Sequence, residues 1–152
     1  PEGSWSDDSS LTLATLSSIK ERGCIDSKDI MNRFVDWFDN GKYTPYGYPY
    51  DIGDTCKKAI RAYKIRQDRF HCGCKDENSN GNGSLMRILP AALYWSEGLA
   101  TDDMDGKEFI YDLSALTHGH LRSKMACLIY SKLIEDLLCN PDKDKKEIAY
   151  KK

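Results

Sequence analysis

Apolar residues recur at helical spacing along almost the whole chain. Between Asp7 and Gly23 they fall at Leu11, Leu13, Ala14, Leu16 and Ile19, behind the small polar run Asp7-Asp8-Ser9-Ser10. Small polar residues favour the start of a helix and glycine its end. From Ser27, read as an N-cap, Ile30, Met31, Phe34, Val35 and Phe38 form an i, i+1, i+4, i+5, i+8 stripe that runs to Asn40-Gly41. A third helix is expected from about Thr55, with Ala59, Ile60 and Tyr63 inward and Lys57, Lys58, Arg61 and Arg66 outward. Helical pattern resumes at Ser84-Leu85-Met86-Arg87, and Pro90 either kinks it or opens the next turn. Phe109, Ile110, Leu113 and Leu116 mark another helix. The longest spans about Arg122 to Leu138, with Met125, Leu128, Ile129, Leu133 and Leu137 assigned to its apolar face. No segment alternates for long with period two, so the fold class is all-α.

The connections carry the polarity. Residues 41–53 hold two prolines, three glycines and four tyrosines, which reads as an ordered aromatic loop. Residues 71–83, HCGCKDENSNGNG, and the turn Thr117-His118-Gly119-His120 are the other two polar loops. Loops on a helical scaffold are where chemistry usually sits. The last stretch, 141–152, is expected to be a charged tail or frayed helix.

At 152 residues the chain is long enough for one core. Lys+Arg 22 against Asp+Glu 24 leaves a net charge of −2, without a basic stripe, so a nucleic-acid partner is not expected. No apolar run approaches the length of a membrane span, and no membrane partner is expected. Of six cysteines, four stand singly in helix-like segments as small hydrophobes, which points to a reducing, cytoplasmic setting. Only His71-Cys72-Gly73-Cys74 resembles a metal cluster, and no second pair follows it.

Four constellations can carry chemistry. Ser6-Asp7-Asp8 offers only oxygen donors, which suits a hard cation such as Mg²⁺; the plainer alternative is two acids complementing a helix N-terminus. Asp51-Ile52-Gly53-Asp54 is either a turn followed by an N-cap or a carboxylate projecting into a cleft. Asn78-Ser79-Asn80-Gly81-Asn82-Gly83 exposes consecutive backbone N–H groups before a helix, which can cradle a phosphate or be a simple loop. His118, beside Gly119, is either a ligand-binding or a capping histidine.

Each signal is weak alone, but their order is distinctive. Trp5-Ser6-Asp7-Asp8-Ser9, then Asp51-Ile52-Gly53, then Asn82-Gly83-Ser84-Leu85-Met86-Arg87-Ile88-Leu89-Pro90, then Thr117-His118 resembles the ADP-ribosylglycohydrolase family, which includes the dinitrogenase-reductase-activating glycohydrolases. The family pattern is W-[ST]-D-D-[ST], D-I-G, N-G-x-x-M-R-x-x-P and T-H in that order. The resemblance implies an all-helical fold, a dinuclear Mg²⁺ (or Mn²⁺) centre in the complete protein, and hydrolysis of the bond joining ADP-ribose to an acceptor. It implies Ser6, Asp7 and Asp8 as metal ligands, and Asp51 and Asp8 as catalytic carboxylates, with Asp51 either an acid/base or a ribose-orienting group. It implies Ser79, Asn80, Gly81, Asn82, Gly83 and His118 as the substrate-binding set, with Met86 and Arg87 supporting that loop from below. The partner would be an ADP-ribosylated protein or an ADP-ribose-containing small molecule.

The family also begins with a glycine-rich helix bearing an acid and ends with G-G-D-x-D-[ST]. Asp103-Met104-Asp105 and Asp142-Lys143-Asp144 share only the D-x-D spacing. The expectation is therefore an incomplete domain: residues 1–140 as its central part, lacking N- and C-terminal portions, with apolar faces that favour self-association. The alternative to an enzyme is a non-catalytic, ADP-ribose-binding or structural member of the same fold.

Overall fold

A computed structural model describes residues 2–99 and 106–139. Asp103, Asp105 and the tail 141–152, with its Asp142 and Asp144, lie outside the described residues. Within them are six α-helices: α1 (Asp7–Arg22), α2 (Ser27–Asn40), α3 (Asp54–Arg66), α4 (Leu89–Ser96), α5 (Gly106–Ala115) and α6 (Leu121–Cys139). A short 3₁₀ turn, Leu85–Arg87, precedes α4, and Pro90 sits in the first turn of α4 rather than kinking a longer helix. Among the described residues no strand forms; the one β-type contact is an isolated parallel bridge between Cys74 and His118. No described helix is long and apolar enough to cross a membrane.

The core joins Leu11 and Ala14 of α1, Ile30, Met31, Phe34 and Trp37 of α2, Ile60 and Tyr63 of α3, and Ile110 and Leu113 of α5. The α2 stripe runs through Trp37, which is fully buried, while Val35 and Phe38 are half-buried at its edge. The cap of α2 is Asp26, not Ser27: its carboxylate accepts from the Lys28 and Asp29 N–H groups at 3.0 Å. A carboxylate one residue earlier reaches the orphan donors of the first turn.

The face of α6 differs from its apolar pattern. Ser123, Cys127 and Ser131 turn inward, while Met125 and Ile129 are exposed. Small residues let the helix approach α4 and α5 closely, and their polar atoms have partners: Ser123 Oγ donates to Asn80 Oδ1 at 3.0 Å, Cys127 Sγ lies 3.4 Å from Ser84 Oγ, and Ser131 donates to Cys127 O at 2.8 Å. Leu13 and Leu16 of α1 are exposed as well.

One ion network, with Asp29 and Arg33 largely buried and Arg22 and Glu21 at its exposed rim, fixes the α1–α2 pair and the aromatic loop. Asp29 accepts from Arg22 at 2.8 Å and also from Arg33 Nε. Arg33 in turn donates to Glu21 and, at 2.9 Å, to Tyr43 Oη. Trp5 Nε1 donates to Tyr43 O at 2.9 Å, so the loop is anchored at both its backbone and its ring.

Candidate active site

The first motif opens α1. Asp7 is buried and Asp8 exposed, as successive residues on a helix must diverge. Ser6 Oγ donates to Asp8 Oδ2 at 3.2 Å instead of capping a backbone N–H, and Asp8 N–H donates to Asp7 Oδ1 at 3.1 Å. Asp51 lies on the loop before α3 with φ of 59°, a left-handed conformation uncommon for a non-glycine residue. The structure brings it to α1: burial, then the charges of Asp8 and Asp51, push the Asp7 carboxyl up to about 6, partly offset by the Gly53 and Asp8 backbone N–H groups.

Of these carboxylates Asp8 faces an aromatic cleft of about 530 Å³, lined by Ser4, Trp5, Ser6, Asp8, Ser9, Tyr46 and Tyr50. Tyr46 stacks on Tyr48 at 5.5 Å and meets Tyr50 edge-on at 5.8 Å. A second cavity of about 450 Å³, lined by Ile25, Tyr94, Phe109 and Leu116 among others, contains none of the motif residues.

The glycine-rich loop and His118 also meet. A side chain built on Gly81 would lie 3.8 Å from His118 Nε2, and one on Gly83 would lie 2.7 Å from His118 Cε1 and 2.6 Å from Cys56 Sγ. Ser79 and Asn80 spend their side chains on shaping the loop. Ser79 Oγ donates to Asp76 at 2.7 Å, Asn80 Nδ2 donates to Glu77 O at 2.8 Å, and Asn80 Oδ1 accepts from Ser123 at 3.0 Å. What remains open to a ligand is the exposed backbone at Gly81 and Asn82.

His118 is 1% exposed, and burial, then the nearby Arg87 charge, lower its pKa to about 4, so the ring is neutral at pH 7. Arg87 is itself fully buried. It donates to Leu113 O at 3.0 Å and Thr117 Oγ1 at 2.9 Å, with the Phe34 ring 5.0 Å from its guanidinium. Arg87 thus ties the loop to the end of α5, where Thr117 and His118 sit.

Three contributors escape a motif reading. Cys56, a plain core thiol by sequence, fills the space between Asp7 and Gly83; burial pushes its pKa up to about 11, so it stays a neutral thiol. Cys72 Sγ lies 3.1 Å from Leu116 O, and Cys74 exchanges backbone bonds with Thr117 and Gly119, so the His71–Cys74 segment pins the histidine turn. Gly73 between them is required, because a Cβ there would sit 1.9 Å from Ala115 O. All six cysteines are unpaired.

The carboxylates fit a hard divalent cation in kind: oxygen donors only, mutually repelling, at the N-terminus of α1. They do not close a donor set alone. Among the described residues no three His, Cys, Asp or Glu side chains are placed to hold a metal ion together.

The motif residues therefore form two adjoining groups, carboxylates on one side and the Gly81–Gly83/His118 cradle on the other, with Cys56 between. The ADP-ribosylglycohydrolase family profile matches residues 1–151. The chain belongs to this family. It is similar to the ADP-ribosyl-[dinitrogen reductase] glycohydrolase of Rhodospirillum rubrum, 30% identical over 140 residues that make up 90% of this chain and 42% of that protein. It is also similar to the ADP-ribosylarginine hydrolase Tri1 of Pseudomonas putida, 25% identical over 93% of this chain and 37% of that one. A solved chain described as an ADP-ribosylglycohydrolase-related protein complex superposes with a TM-score of 0.71 at 27% identity, covering 96% of this chain and 44% of its own. This ADP-ribosylglycohydrolase-family chain thus spans about two-fifths of the length of these relatives.

Proposed function

We propose that this chain forms part of a hydrolase that cleaves the glycosidic bond between ADP-ribose and a modified protein side chain or related acceptor. The observation that carries it is the adjacency of the Asp7–Asp8–Asp51 carboxylates to the Gly81–Gly83/His118 cradle in a member of this family. The exposed backbone at Gly81 and Asn82 receives the pyrophosphate, which supplies binding energy remote from the bond being cut. That places the ribose carbon bearing the acceptor toward the carboxylates. Asp51 and Asp8 are the groups positioned for proton transfer as an oxocarbenium-like centre develops. Ser6, Asp7 and Asp8 would hold a divalent cation, Mg²⁺ or Mn²⁺, together with ligands from outside the described residues; such an ion supplies Lewis-acid stabilisation when bound. Trp5, Tyr46 and Tyr50, which line the cleft beside Asp8, form the acceptor side. The relative from Pseudomonas putida is named for ADP-ribosylarginine, and a guanidinium suits these ring faces and the exposed Asp8.

The test is release of ADP-ribose from an ADP-ribosylarginine peptide by the full-length gene product, with and without Mg²⁺. Asp8→Asn and Asp51→Asn should each lower turnover by about 100-fold or more. Failure to release ADP-ribose from arginine, serine or nucleic-acid-end acceptors would overturn the proposal.

A further inference from the structure

The Thr117 hydroxyl lies between two buried partners. Arg87 Nη2 is 2.9 Å from Thr117 Oγ1, and Thr117 Oγ1 is 2.9 Å from His118 Nδ1. None of the three residues is more than 1% exposed, so water does not compete for these bonds. A guanidinium carries donors only, so the Thr117 oxygen must accept from it. That leaves the oxygen one proton and one lone pair. A charge-assisted bond from a cation draws electron density from the oxygen, making its O–H a stronger donor and its second lone pair a weaker acceptor. The proton then goes to the best acceptor within reach. That is the imidazole nitrogen rather than the neighbouring Cys56 thiol, since sulfur accepts weakly. A neutral imidazole that accepts at Nδ1 carries its own proton on Nε2. Nε2 is also the ring nitrogen facing the glycine loop, 3.8 Å from where a Gly81 side chain would stand and 3.3 Å from where a Gly83 side chain would.

We propose that Thr117, oriented by Arg87, is a positioning residue that holds His118 as its Nε2–H tautomer, so that the loop at residues 79–83 presents a neutral N–H donor to a phosphate oxygen of the ligand. The tautomer rests on the hydrogen-bond chain and on the weaker acceptor strength of the Cys56 sulfur; its use on a phosphate rests on the function proposed above. A neutral donor suits this place, because the Arg87 charge is already buried behind the ring and a second cation there would be repelled.

The test uses the ¹⁵N-labelled 152-residue chain at pH 7 without ligand, with long-range ¹H–¹⁵N correlations of the three histidine rings and His118→Gln for assignment. The expected result is a His118 ring protonated at Nε2, with Nδ1 shifted as a hydrogen-bond acceptor. Thr117→Val keeps the shape and removes the hydroxyl. Its Nδ1 resonance should move to that of an unbonded nitrogen, and ADP-ribose affinity by calorimetry should fall about tenfold. Thr117→Ser should restore both. A proton on Nδ1 in the parent chain, or an Nδ1 resonance unmoved by Thr117→Val, overturns the proposal. If the tautomer responds as described but ADP-ribose binds neither form, the positioning role stands and the phosphate assignment falls, together with the function it rests on.

Discussion

Alanine at position 83 would press on the point where the glycine loop, α3 and the histidine turn meet. Its Cβ would lie 2.6 Å from Cys56 Sγ and 2.7 Å from His118 Cε1. Non-bonded carbon atoms prefer about 3.5–4.0 Å, so the methyl is about 1 Å too close on two sides. Neither neighbour is free to move: each is 1% exposed, and the His118 ring is tied to Thr117. Gly83 does not need a left-handed backbone, so the cost is steric. Overpacking of this kind costs about 1–3 kcal/mol. Loss of glycine's freedom in the unfolded chain offsets about 0.4–1 kcal/mol of it. With overlaps on two sides the steric cost lies in the upper half of that range, so the net destabilisation is about 1–2.6 kcal/mol, which in a chain of this size lowers Tm by roughly 2–10 °C. Circular dichroism melts of Gly83→Ala, Cys56→Ala and the double variant measure it. Removing the sulfur relieves one of the two overlaps, so the double variant should be more stable than the sum of the single losses by about 1 kcal/mol. A Gly83→Ala melt within about 1 °C of the parent, or strict additivity with Cys56→Ala, would refute the packing argument.

The other predictions concern charge. His118 has a folded pKa of about 4 against an ordinary 6.5, so the unfolded chain takes up the proton first. Its contribution, up to about 3 kcal/mol, is fully present above pH about 6.5 and is lost as pH falls toward 4. Urea unfolding across that window should show the slope, and His118→Gln should flatten it; equal slopes would contradict a buried neutral ring. For Asp29, burial raises the pKa, but hydrogen bonds from Arg33 and Arg22 outweigh it and hold the carboxyl at about 2. Its stabilisation is present above pH about 4 and is lost as pH falls through 2. Asp29→Asn should cost about 2 kcal/mol at pH 7, discounted because Arg22 is half exposed. Equal urea midpoints for variant and parent would show that the network contributes nothing.

Much of the helical layout was legible because it depends on near neighbours. Leu11, Ala14, Ile30, Phe34, Ala59 and Ile60 fall on periodic stripes, and the structure buries all of them. Where the pattern misled, a long-range contact overrode it. Met125 and Ile129 read as the core face of α6 with Leu128, yet only Leu128 of these three packs against the core, and the fully buried positions facing α4 and α5 are Ser123, Cys127 and Ser131. At the site, the residue types and their order pointed to carboxylates, a glycine loop and a histidine. Nothing local showed that Ser79 and Asn80 turn their side chains to the loop itself, because their partners Asp76, Glu77 and Ser123 are chosen only once the loop is closed.

The sequence by itself determined an all-helical chain, its polar loops and the ordered motifs that mark its family. These follow from helical period, turn chemistry and residue identity, each set within a few positions along the chain. Only the tertiary structure decided which motifs are neighbours. Asp51 reaches Asp7 through a loop held at Tyr43 by Arg33 and Trp5, and Gly83 reaches His118 across Cys56. These contacts join residues far apart in the chain, and close packing of buried groups selects them; no local pattern encodes that selection.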